Sequence, residues 1–170
     1  RPDTTSGTSP QRFSGASPSA RVASPIGHRE PDMAQFTAYL TFDGQCADAM
    51  AFYQRTLGGE LQSHRMGDSP MAGDLPKAYH DRLMHASLAL DGGVLMASDT
   101  MPGMPYDGMK GFAISLQYRD AEQGRRIFDA LAAGGTVTMP YAPTFWAAGF
   151  GMLVDRYGTP WMVNVDTAPA

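Results

Sequence analysis

A chain of 170 residues is long enough for one domain of ordinary size with its own core. Its 43% hydrophobic content is globular, yet no apolar run approaches the roughly 18 to 20 residues that cross a bilayer. A formal net charge of −4 speaks against the basic face of a general nucleic-acid binder, and the single cysteine, Cys46, has no partner for an internal disulfide.

Residues 1–34 are rich in Ser, Pro, Thr and Gly and show no apolar periodicity. Such a segment buries too little surface to offset its conformational entropy, so a disordered extension is expected. It lacks the apolar centre of a secretory signal, and Asp3, Glu30 and Asp32 count against an organelle-import segment. A cytoplasmic protein is therefore expected, with Met33 a candidate natural start. The folded domain is expected over residues 35–167, followed by a short tail at 168–170.

That domain reads as two copies of one unit. TAYLTFDGQCADAMAFYQRTLGGELQS, from Thr37, lies in register over AISLQYRDAEQGRRIFDALAAGGTVTM, from Ala113. Leu40 falls on Leu116, Phe52 on Phe128, and Gly58-Gly59 on Gly134-Gly135. Each copy opens with a short alternating strand. A helix follows, with apolar residues at Ala49, Phe52, Tyr53 and Leu57 in the first copy and Ile127, Phe128 and Leu131 in the second. The paired glycines suit a helix C-terminus. Strands are expected next, at residues 60–66 and 136–141. Residues 67–79 read as a mobile loop or dimer arm, and 101–109 as the linker between copies. HASLALDGGVLMASD and GMLVDRYGTPWMVNVD then read as hairpins, with Gly92 over Gly158 and Met96 over Met162. The fold class is α+β, two tandem βαβββ modules over about 36–99 and 111–166, with a cleft between curved sheets as the ligand site.

Strand parity assigns faces. Ala38, Leu40, Phe42, Ile114, Leu116 and Tyr118 form the helix-packing stripes, with Ala86, Leu88, Leu90 and Trp161. Thr37, Tyr39, Thr41, His85, Ser87, Ala113, Ser115 and Gln117 then face the cleft.

YLTFDG, FYQRTLGGE, HASLALDGGVLMASD and TFWAAGFGMLVDRYGTPWMVNV together resemble the PhnB-like branch of the glyoxalase/bleomycin-resistance/dioxygenase (vicinal oxygen chelate) superfamily, over roughly Phe36 to Asp166. The resemblance implies a glyoxalase-like half-barrel cleft and a homodimer, which in some members completes its clefts across subunits. It also implies four cleft positions that hold a metal in metal-using members. Here those positions are Thr37, Met96, Ala113 and Met162. Divalent first-row metals need nitrogen, carboxylate or thiolate donors, so neither metal nor cofactor is expected there. A ubiquinone-pathway methyltransferase, a label used in this branch, finds no nucleotide-methyl-donor fold in the sequence.

His85 is the leading candidate for acid–base chemistry and Tyr39 for hydrogen-bond donation, each with the alternative of a purely structural role. Ser115, Gln117 and Asn164 are polar ligand contacts, with Thr41, Ser87, Met96 and Met162 beside them. Phe145 and Trp146 read as a wall or lid. His64, His80 and Asp81 have no spacing that brings them to one point. The expected function is binding of a small, partly apolar molecule in a metal-free cleft. The alternative is a metal-free isomerase or lyase using His85 or Tyr39, and less favoured is a metal-dependent glyoxalase or dioxygenase. No nucleic-acid or membrane partner is expected.

Overall fold

Residues 36–167 are described by the structure, a computed structural model. The expected disorder over 1–34, the candidate start at Met33 and the tail at 168–170 lie outside those residues.

The first copy contains β1 (Ala38–Phe42), α1 (Cys46–Leu57), β2 (Glu60–Arg65), β3 (Leu83–Leu90) and β4 (Gly93–Asp99). The second contains β5 (Ile114–Tyr118), α2 (Ala121–Ala132), β6 (Thr136–Ala142), β7 (Ala147–Val154) and β8 (Pro160–Asp166). Each copy builds its own four-stranded sheet, in the order β1-β4-β3-β2 and β5-β8-β7-β6. The first strand of each copy runs parallel to the last, and the other pairs are antiparallel. The chain is α+β with two βαβββ modules, as its repeat predicts.

Small differences sit at element ends. Thr37 and Ala113 precede their strands, and β2 stops at Arg65 because the buried Met66 turns inward. The segment expected as a loop over 67–79 winds into three short 3-10 turns, Met66–Asp68, Ala72–Asp74 and Lys77–Tyr79.

The glycine pairs serve two purposes. Gly58 and Gly134 take φ of +83° and +79°, the left-handed turn that ends each helix. Gly59 and Gly135 lie against the backbone carbonyls of Ala89 and Val154, where any Cβ would collide. The two helix starts differ. Asp120 caps α2 locally, accepting from Gln123 N at 2.7 Å. α1 has no side-chain cap of its own. Its entry is held by Asp99, at the end of β4, whose Oδ1 accepts from Gly44 N (2.7 Å) and Cys46 N (3.1 Å). Oδ2 of the same carboxylate accepts from Leu83 N at 2.8 Å, tying in the start of β3.

Parity holds along most of the strands, but Ala38, expected on the helix-packing stripe, is exposed because β1 is an edge strand. Leu40, Phe42, Ala86, Leu88, Val163 and Val165 are buried on the helix side, and Trp161 is 1% exposed. The two helix sides share one core. Tyr53 of α1 meets Trp161 of β8 edge-on at 5.2 Å, and Phe52 lies 5.7 Å from Tyr157. The join is anchored by Asp155 at the β7–β8 turn. Its Oδ1 accepts from Tyr157 N (2.8 Å) and Thr159 N (3.0 Å). Its Oδ2 accepts from Tyr53 Oη (2.7 Å) and Trp161 Nε1 (2.8 Å). A buried carboxylate with four donors is fully satisfied, and one of those donors comes from the other module.

The glyoxalase-like pairing of two βαβββ modules expected from the repeat is present. The modules meet on their helix sides, because that is where both copies concentrate large apolar residues. Each sheet's opposite face is therefore left open.

Candidate functional site

The first open face follows from β-strand alternation and register. Tyr39 pairs with Met96, Met96 with Ser87, and Ser87 with Gln62, so these four side chains form one row across the sheet. Thr41 pairs with Ser98 in the next row, and His64 lies directly across from His85. Tyr39 is 52% exposed, and its ring centroid is 6.0 Å from that of His85. Thr41 and His64 are exposed, whereas His85, Ser87 and Met96 are half-buried. The result is a surface of hydroxyls and imidazoles set beside a thioether and a phenol ring.

The second open face is a polar ladder beside an aromatic cluster. Gln117 pairs with Asn164 and Asn164 with Phe150, while Ser115, Met162 and Met152 form the adjacent row. Gln117 Nε2 donates to Ser115 Oγ at 2.8 Å. Asn164 Nδ2 donates to Gln117 Oε1 at 2.8 Å and to Asp166 Oδ1 at 3.1 Å. Trp146 packs 5.7 Å from Phe150, and Phe145, 95% exposed, stands edge-on to Trp146 at 4.5 Å. The turn that presents these rings is held by Thr144 Oγ1, which accepts from Ala147 N.

Two hollows lie nearby, one on the helix side and one beside the first open face. A groove of about 910 Å³ runs between the edge strands on the helix side, lined by Ala38, Leu57 and the Leu90–Leu95 turn region of the first module and by Ile114, Leu116 and Ile127 of the second, with Ala113, Ser115 and Gln117 also in its lining. A smaller hollow of about 350 Å³ lies under the linker and takes in Tyr39, Thr41, Tyr106 and Phe112. Burial pushes the hydroxyls of Tyr118, beside the groove, and Tyr106, in the hollow, above the usual tyrosine range, so both stay neutral donors. His85, Ser87, Met96, Phe145, Trp146, Met162 and Asn164 line neither hollow, and belong to the open faces.

The sequence-predicted residues thus fall into two groups. Thr37, Tyr39, Thr41, His85, Ser87 and Met96 belong to the first module. Ala113, Ser115, Gln117, Phe145, Trp146, Met162 and Asn164 belong to the second. Phe150 and Met152 also occupy the second face. Strict alternation through AAGFGMLV is the signal that points to them. His64 is the other addition. The positions that would carry the superfamily's metal offer a hydroxyl, two thioethers and a methyl group, a donor set that does not fit zinc, nickel or iron. Among the described residues, no three His, Cys, Asp or Glu side chains gather around one point. No helix among them is long and apolar enough to cross a membrane.

Residues 34–164 match the family described as 3-demethylubiquinone-9 3-methyltransferase. Protein YjdN of Escherichia coli K12 is 39% identical over 141 residues, spanning 75% of this chain and 92% of YjdN. The crystal structure of PA1353 from Pseudomonas aeruginosa is 45% identical with a TM-score of 0.74, covering 80% of this chain and all of that one. The PhnB protein of Bacillus cereus shares the fold at 22% identity, with a TM-score of 0.64 over 78% of this chain and 99% of that one.

Proposed function

The chain belongs to the 3-demethylubiquinone-9 3-methyltransferase family, the PhnB-like branch of the glyoxalase/bleomycin-resistance/dioxygenase superfamily, and from that premise we propose that it binds a small, partly apolar molecule on its open sheet faces. The observation that carries this reading is the lining of those faces. Half-buried thioethers and exposed aromatic rings sit within one or two rows of oriented amides and hydroxyls. Such mixed surfaces hold an apolar body and fix its polar groups. A second copy of the chain closes the cleft in this proposal, because the helix-side join leaves neither face covered within one chain. Methyl transfer, named in the family description, needs a seat for a nucleoside methyl donor. Neither strand-to-helix turn, at Asp43-Gly44-Gln45 or Arg119-Asp120, has the glycine-rich form that seats a nucleotide in doubly wound folds, and two separate βαβββ sheets are not that fold.

The 6.0 Å approach of Tyr39 and His85 favours one second reading, an isomerase or lyase in which these two groups move a proton without the superfamily metal. A thermal-shift screen of small aromatic and aliphatic ligands, with the bound compound recovered and identified, separates the two. A ligand recovered unchanged, whose binding is weakened by Trp146→Ala, supports binding. Conversion lost in His85→Ala supports the enzyme. Sedimentation measurements showing only monomers, with ligand bound, would remove the second copy from the proposal.

A further inference from the structure

His64 and His85 come from strands joined by a long excursion, yet the antiparallel register sets them directly opposite each other. Directly opposed residues point to the same face, with Cβ atoms about 4.5 to 5.5 Å apart. Two imidazoles at that spacing can both reach one ion at the roughly 2.0 to 2.1 Å of a zinc–nitrogen bond. The surroundings leave the pair available. Among the described residues, neither ring makes a hydrogen bond, in contrast to His80, whose Nε2 sits 3.0 Å from the Ala72 carbonyl and 3.3 Å from that of Leu75. The register slips immediately after His64, and Arg65 is drawn to Asp81 at 3.2 Å. His85 is half-buried beside the Tyr39 ring, which restricts its swing, while His64 is exposed on the edge strand.

We propose that His64 and His85 form a two-histidine mount for a borderline divalent ion of the copper, nickel or zinc type, at a place other than the four superfamily positions. Imidazole nitrogen suits these ions and not magnesium or calcium, which take oxygen ligands. The remaining coordination positions face the open surface and are filled by water or by a donor atom of a bound molecule. The site stands on register and residue chemistry, and it does not depend on the ligand-binding reading above.

The full chain, stripped with chelator, is titrated separately with Cu(II), Zn(II) and Mg(II) by calorimetry, and the copper form is read by electron paramagnetic resonance. One copper or zinc per chain is expected, with no heat from magnesium and two coordinated nitrogens in the spectrum. Either His64→Ala or His85→Ala weakens binding by at least about tenfold and leaves one nitrogen, since losing a ligand costs no less than losing an outer-shell partner. His80→Ala leaves binding unchanged. The exposed edge position of His64 keeps that variant folded, and the melting temperature of each metal-free variant checks this. Absence of a stoichiometric copper or zinc ion, or binding that survives both single variants, would overturn the site.

Discussion

Replacing Asp155 with Asn tests whether one carboxylate holds the two modules together. The change is isosteric, so it opens no cavity, and its cost comes from hydrogen bonding alone. Each carboxylate oxygen accepts two donors, Tyr157 N and Thr159 N on one, Tyr53 Oη and Trp161 Nε1 on the other. Whichever way the amide turns, its NH2 meets a donor pair. The better choice faces the tyrosine, whose hydroxyl can rotate and accept, leaving Trp161 Nε1 buried without a partner. An orphaned buried donor costs about 1 to 3 kcal/mol, and the bonds that remain lose the strengthening of a charged acceptor. The sum is about 3 kcal/mol, or a melting temperature roughly 10 °C lower for a domain of this size. Tyr53→Phe removes one donor and the 2.8 Å contact of that hydroxyl with Thr159 Oγ1 but leaves the carboxylate three donors, so about 1.5 kcal/mol is expected. Urea unfolding followed by the fluorescence of the buried Trp161, in a Trp146→Phe background, measures both. Asp155→Asn within about 0.5 kcal/mol of its parent, or no costlier than Tyr53→Phe, would refute the reasoning.

Four further outcomes are expected. Burial pushes the Cys46 thiol up to about 12 from its ordinary 9.0, so thiol reagents should label it only on unfolding. Between those two values the folded chain keeps a proton that the unfolded chain releases. Stability is therefore complete below about pH 9 and falls above it by up to about 1.4 kcal/mol per pH unit, a slope that Cys46→Ser should reduce in urea midpoints measured from pH 8 to 10.5. Gly151→Ala should cost about 1 to 3 kcal/mol by thermal unfolding, since its Cβ would press on the Phe128 ring and the Tyr141 backbone. Asp99→Ala should speed amide exchange at Gly44, Cys46 and Leu83 more than at α2, because its carboxylate holds the entry of α1 from a distance.

Much of the architecture was legible because alternation and helical spacing are local. The repeat, both helices, the glycine pairs and the buried Trp161 all follow from patterns a few residues long. So do the open-face positions of Tyr39, His85, Gln117 and Asn164. Asp120 is likewise a local cap, three residues from the amide it serves. The pairing of His64 with His85 was not legible, since the excursion between β2 and β3 sets no register as a tight hairpin turn does. Phe150 and Met152 follow from the same alternation along β7.

Sequence alone therefore determined that this chain makes two βαβββ units, and which side chains leave each strand toward the helix and which away from it. Periodicity carries that information residue by residue, whatever lies elsewhere. Only the tertiary structure decided that the units join through their helix sides, that Asp99 caps α1 from the far end of the module, and that Asp155 binds Tyr53 across the join. Those choices depend on which apolar faces bury most surface together and which distant donors then need an acceptor, and no stretch of local sequence contains both partners.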